Sequence, residues 1–171
     1  MNNDITKQGV LFKELVDRPL VARFDQPRSS SDGGALLLKA ADRKLGLSEA
    51  LSGCLRDRRN PDFIVHSYHD LLRQRVYALA CGYEDCNDAA RLKGDPVHRL
   101  LLDRDLDQDA ELASQPTLSR FENAIDVRLM DAMSTALADS VIARHRKRLR
   151  GRVKRIMSDM DPTDDPTYGS Q

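Results

Sequence analysis

No run of about 18 apolar residues, the length needed to cross a bilayer as a helix, occurs in these 171 residues. The opening MNNDITKQGVLFKEL lacks both the basic start and the apolar stretch of a signal peptide, so the expected location is cytoplasmic, with no membrane partner. Cysteine is scarce: Cys54, Cys81 and Cys86 are odd in number and have no CxxC spacing, which points to reduced thiols in a core rather than to a disulfide frame or a structural zinc. The histidines offer little more. His66 and His69 lie one helical turn apart without a third ligand at suitable spacing, and His98 and His145 stand alone in the sequence. Neither GxxxxGK[ST] nor GxGxxG is present, so the usual nucleotide-phosphate loops are excluded.

Net charge is lacking too, but only on average: 27 basic residues balance 27 acidic ones. In ARHRKRLRGRVKR, ending at Arg155, eight Lys/Arg stand without an acid, which leaves 19 basic against 27 acidic residues elsewhere. A dense basic block in an otherwise acidic chain suggests contact with a polyanion. Cations closing a helix, where they meet its dipole, account for the composition equally well.

The chain reads as mainly helical. QPRSSSDGG is a loop, after which Ser31 or Asp32 is expected to cap a helix through Leu36, Leu37, Ala40 and Ala41 that stops near Gly46. Ser48 is expected to cap a second, short helix carrying Leu51 and Leu55, with DRRNPD as a turn beyond it. HSYHDLLRQRVYALACG has the helical period at Tyr68, Leu71, Leu72, Val76, Leu79 and Ala80, with Gly82 as its terminator. Short helical pieces follow in NDAARLKG and PVHRLLLD, and DRDLDQDAE reads as an exposed loop. Leu118, Phe121 and Ile125 predict a helix opening at Pro116 or Thr117. The longest helix starts near Asp126, buries Met130, Met133, Leu137 and Val141, and runs into the basic block. VKRIMSDMD then alternates with period two and predicts a strand, which needs partner strands to satisfy its backbone.

Two segments carry candidate chemistry. In DMDPTDD a strand would place Asp159 and Asp161 on one face, and aspartate oxygens suit Mg²⁺ or Mn²⁺; the plain alternative is an Asp/Pro turn after a strand. SQPTLSRFEN opens a short helix with Ser, Gln and Thr and presents Arg120, a composition that suits phosphate and base-edge contacts; the alternative is a packing helix with a polar outer face.

Four stretches in order, SDGGALLLKAADRKLGLSEALSGCLRDRRNP, VHSYHDLLRQRVYALACGYEDCNDAARLKGDP, LASQPTLSRFENAI and DMDPTDDPTYGSQ, resemble the DDE transposases of bacterial insertion sequences, in particular the insertion sequence 1380 group. The resemblance covers nearly everything from Ser31 to Gln171. It implies a helical N-terminal region joined to a catalytic domain of RNase H-like fold, in which three acids hold two Mg²⁺ or Mn²⁺ ions for attack on DNA phosphodiesters. The first acid maps onto Asp161, with Asp159 as the alternative; Pro162 and Tyr168 depart from the family pattern without removing a carboxylate.

The expected organisation is a loosely ordered segment over 1–30, a helical DNA-binding region over 31–150, and over 151–171 the first strand of a truncated RNase H-like α/β domain. With one acid of three, the fragment is expected to hold no metal tightly and to be inactive alone, keeping only DNA binding. The expected partner is double-stranded DNA, at the element's terminal inverted repeats and in the target, which places the protein at the nucleoid. Arg120 is expected to contact bases, and Arg144, Arg146, Lys147, Arg148, Arg150, Arg152, Lys154 and Arg155 phosphates. Two other readings stay open: a dimerisation module, pairing with itself or with intact transposase through the faces of helices 66–81 and 126–143, and the unstable product of a decayed frame.

Overall fold

The computed structural model describes residues 29–106 and 111–149, together with Arg155 and Met157. These are mainly helical, with no strand among the described residues: α1 Ala35–Leu45, α2 Leu47–Ser52, α3 Tyr68–Ala80, α4 Ala89–Leu92, α5 Pro96–Leu101, α6 Gln115–Asn123 and α7 Val127–Arg148, with 3-10 turns at Pro61–Phe63 and Cys86–Asp88. The expected strand at 153–160 lies outside the described residues apart from Arg155 and Met157, as do Asp159, Asp161 and the segment before residue 29.

Each helix boundary has a local cause. Gly46 adopts φ +62, where a side chain is disfavoured, and its N–H closes α1 on Asp42 O at 2.7 Å before α2 begins at once. Ser48 does not cap α2, as its position suggested. It is the second residue of the helix and is buried, and Asp42 of α1 supplies the cap, accepting from Ser48 N at 2.9 Å and Ser48 Oγ at 2.5 Å. Leu55 accordingly falls beyond α2 but packs into the core. Neither Ser31 nor Asp32 caps α1 through its side chain: the N-cap is Gly34, and the Asp32 carboxylate turns instead to His98 and Tyr83. Ser67 Oγ does cap α3, accepting from Asp70 N at 3.0 Å, and Asp126 Oδ1 caps α7 by accepting from Leu129 N at 2.9 Å.

α3 is the central pillar. Tyr77 joins Ala35, Leu36, Leu101, Leu102 and Leu112 in one core cluster, while Leu71 and Leu72 join Ala89, Ala113, Leu118 and Phe121 in the other. Its buried face is turned from the one the apolar period predicted. Leu79 and Ala80 are exposed, and Arg73, Gln74 and Tyr77 point inward, because the polar ends of these three find partners there. Arg73 donates to Leu101 O at 2.6 Å and to Asp103 at 2.9 Å, and Tyr77 Oη donates to Asp42 at 3.1 Å.

Gln74 clamps both sides of one peptide segment, donating to Ala113 O at 2.9 Å and accepting from Ala113 N at 3.0 Å. Ala113 immediately precedes Ser114, the N-cap of α6, so this clamp fixes where α6 begins. Gln74→Leu strands a buried donor and a buried acceptor. It should cost about 2–4 kcal/mol, read as a lower midpoint in urea with an unchanged slope.

Asp103 is more than a residue of an exposed loop. At φ +60 it brings its carboxylate to the buried Lys39 at 2.8 Å, to Arg43 at 2.9 Å and to Arg73 at 2.9 Å, so that one anion serves three cations. Lys39 Nζ also donates to Leu100 O. Burial raises the Asp103 carboxyl, but the bonds from Lys39 and Arg73 outweigh it and hold its pKa below the ordinary carboxylate value.

α7 packs along α2, held by the Cys54 Sγ contact to Ala132 O and by Arg144, which donates to Leu45 O at 2.8 Å. The predicted buried stripe is not buried. Met133 is half-covered by the second core cluster, but Met130, Leu137 and Val141 are 52, 44 and 46% exposed. A 22-residue helix laid against the six-residue α2 finds little to cover most of its length.

Candidate nucleic-acid interface

α6 is held on three sides. Leu118 and Phe121 enter the core, with the Phe121 ring edge-on to Tyr68 at 5.2 Å. Glu122 accepts from Arg75 Nε at 2.5 Å and from the Cys86 thiol at 3.0 Å; burial and that carboxylate push the Cys86 pKa up to about 11, so the thiol stays protonated. The Gln74 clamp sets the start of the helix. The face left over carries Pro116, Arg120 and Asn123 outward, with Thr117 half-exposed beside them.

Thr117 and Arg120 line a cleft of about 310 Å³ shared with Arg59, Phe63, Val65, His66, Tyr68, Leu71 and Phe121. The sequence had given the DRRNPD segment only as a turn. Here the end of that segment forms a 3-10 turn, opened by Asn60 and Pro61, and Phe63 and Val65 stand in solvent at 82 and 68% exposure, along the rim of the cleft. Arg59 is a wall of the cleft with its charge already met: it pairs with Asp57, donates to His66 O at 2.9 Å and lies 4.5 Å over the Tyr68 ring. Burial, then the nearby Arg104 charge, holds the His66 pKa below its ordinary value, so at neutral pH the ring is uncharged. Arg120 uses Nε on Pro116 O at 2.9 Å, and among the described residues its guanidinium makes no other bond. It therefore supplies the open positive charge of the cleft.

The second basic feature lies at the other end of α7. Arg144, Arg146, Lys147 and Arg148 are all exposed, and His145, Arg146, Lys147 and Arg148 form the last turn. Arg155 is exposed as well, while Arg150, Arg152 and Lys154 lie outside the described residues. The structure does not bring Arg120 and the basic block together. Arg120 lies on α6, before α7, and the block closes α7, a helix of 22 residues and about 33 Å. The length of α7 is close to one turn of B-form DNA, about 34 Å.

Asp159 and Asp161 lie outside the described residues. Sequence reasoning gave Arg120 and the block but missed Arg59, Phe63, Val65 and His66, which meet α6 only through the packing of α3 against it. An apolar Phe-Ile-Val run directly after a turn was the available signal.

Among the described residues no helix is long and apolar enough to cross a membrane. A family model for the transposase DDE domain, group 1, matches residues 12–171. No curated protein and no solved structure matches the chain. The matched span takes in nearly the whole sequence, with the α6 cleft, the basic end of α7 and the acidic cluster all inside it. The chain belongs to the DDE transposases, a family that acts on DNA with divalent metal ions.

Proposed function

We propose that this chain is the DNA-binding helical region of an insertion-sequence transposase of the 1380 group, followed from about residue 151 by the start of its RNase H-like catalytic unit. The observation that carries the reading is an open Arg120 on a cleft rim together with four exposed cations at the C-terminal end of α7. A duplex of the terminal inverted repeat that reaches both features meets Arg120 at a major-groove face and the block at phosphates further along. Arg120 supplies base contact, Thr117 a hydroxyl for a neighbouring phosphate, and Arg144 through Arg155 the phosphate contacts.

Asp161, with Asp159 as the alternative first acid, supplies the hard oxygen donors that Mg²⁺ or Mn²⁺ prefers. When bound in the family's enzymes, such ions activate water or a 3′-hydroxyl for attack on a phosphodiester.

Arg120→Ala tests the assignment. It should reduce the preference for the terminal repeat over a scrambled duplex by about 5–100-fold, the effect of losing one good base contact, while binding to the scrambled duplex changes little. An unchanged preference would remove α6 from the interface. The exposed Met130, Leu137 and Val141 on α7 favour a second reading, self-association of this region. A mass that rises with protein concentration and ignores DNA would support it over the first.

A further inference from the structure

Three side chains far apart in the sequence converge beside the N-terminal end of α1. Ligand atoms of Asp32, Cys81 and His98 all lie within 4.8 Å of one another, and His98 Nε2 stands 2.9 Å from Asp32 Oδ2. We propose that Asp32, Cys81 and His98 form a binding site for a borderline-soft divalent metal ion, Zn²⁺ above all, with a water completing a tetrahedron. The site is separate in residues and in chemistry from the carboxylate pair assigned to Mg²⁺.

The donor set makes the choice of metal. One thiolate, one imidazole and one carboxylate suit Zn²⁺, whereas Mg²⁺ prefers oxygen donors in an octahedron. Charge agrees: thiolate and carboxylate together carry two negative charges, which a dication cancels. Among the described residues no Lys or Arg pairs with Asp32; its carboxylate bonds only Ser31, Tyr83 and His98.

The geometry is close to what binding requires. Bond lengths of about 2.0–2.3 Å in a tetrahedron put donor atoms about 3.3–3.8 Å apart. Metal entry therefore opens Nε2 and Oδ2 by a few tenths of an ångström from their present hydrogen bond and brings the Cys81 sulfur, now within 4.8 Å of both, to bonding distance. His98 is buried, while Asp32 and Cys81 are half-buried, so the site is open on one side to the ion and to the fourth, water ligand.

Each ligand is positioned by contacts that do not depend on a metal. The Asp32 carbonyl accepts from Ala35 N at 2.8 Å at the start of α1. Cys81 closes α3, its N–H donating to Tyr77 O and Ala78 O, and Gly82 at φ +88 turns the chain away behind it. His98 N donates to Asp95 Oδ1 at 3.0 Å in the first turn of α5. Tyr83 Oη donates to Asp32 Oδ2 at 2.9 Å, and its ring meets His98 edge-on at 5.8 Å, so a supporting group already orients the carboxylate. In the metal-free chain burial, then the charges of Asp32 and Asp95, favour the protonated Cys81 thiol. Binding one ion forms metal–sulfur, metal–nitrogen and metal–oxygen bonds and releases the thiol proton to solvent, with no change of oxidation state. The bound ion ties α1, the end of α3 and α5 to one point.

The test is a titration of the full metal-stripped chain with Co²⁺, read by thiolate-to-cobalt charge-transfer and tetrahedral ligand-field absorption, followed by displacement with Zn²⁺. The expected result is one equivalent bound, both signals present, loss of both on adding Zn²⁺ but not on adding Mg²⁺, and a higher thermal midpoint with Zn²⁺. Cys81→Ser, at a half-exposed position where folding should persist, is expected to abolish the charge-transfer band and weaken Zn²⁺ binding by more than the roughly 10–100-fold that loss of a supporting group costs. Cys54→Ser and Cys86→Ser should leave the band intact. A missing band in the folded wild-type chain, or one that survives in Cys81→Ser, would overturn the proposal.

Discussion

Replacing Asp103 by alanine is expected to destabilise the chain by about 3 kcal/mol, the lower end of the cost of stripping a buried cation of its partner, because Asp103 is itself half-exposed. Lys39 would be left almost wholly buried with the Leu100 carbonyl, and Arg73 with the Leu101 carbonyl. A thermal melt should show a midpoint lower by roughly 10 °C. Lys39→Met is the informative control: it removes the buried charge together with its desolvation cost and leaves Asp103 with Arg43 and Arg73, so its loss should be much smaller.

The acid side of the stability profile follows from the same carboxylate. Its pKa in the folded chain lies below the ordinary 3.8, so its contribution is fully present above that value and is lost as pH falls through the lowered one. Asp32 and Asp42 are shifted in the same direction: burial raises each, and hydrogen bonds outweigh it, from His98 and Tyr83 on Asp32 and from Ser48 and Tyr77 on Asp42. The wild-type chain should therefore lose stability below about pH 4, and Asp103→Ala should lose less over that window. Equal acid sensitivity in the two proteins would contradict this account of Asp103.

The second large effect concerns DNA. Replacing Arg146, Lys147 and Arg148 together with glutamine keeps good helix formers at exposed positions and removes three charges from the last turn of α7. Each lost phosphate contact lowers the slope of log affinity against log salt by about 0.9, so the slope should fall by up to about 2.7, with binding on the order of tenfold or more weaker at low salt. Terminal-repeat and scrambled duplexes should lose equally, since phosphates carry no sequence. If these cations serve only to close the helix, the triple variant will bind as before. It will then lose only stability, by up to about 1 kcal/mol for each charge meeting the dipole.

How much of this was legible depends on the range of each signal. α3, α6, α7 and the stop at Gly46 follow from local period, caps and a left-handed glycine, and the sequence carried them. The choice of cap at Ser48 was not legible, because the competing acceptor, Asp42, belongs to the preceding helix. The buried face of α3 was misread because apolar counting rewards Leu79 and ignores Arg73 and Gln74, whose burial is acceptable only where the Asp103 carboxylate, the Leu101 carbonyl and the Ala113 backbone await them. The stripe of α7 was real as a pattern, but α2 is too short to cover it. The meeting of Asp32, Cys81 and His98 depends on tertiary packing alone, and cysteine spacing had argued against zinc. For the candidate interface, Arg120 and the cations were visible as residues, while the cleft that gives Arg120 its setting came from α3 and α6 packing together.

The most direct measurement is a fluorescence-anisotropy titration of the chain with duplex DNA from the element's terminal inverted repeat and with a scrambled duplex, each at two salt concentrations. Binding that is tighter to the terminal repeat and falls steeply with salt for both duplexes is the predicted result. Binding to neither duplex by a chain that melts cooperatively would contradict it.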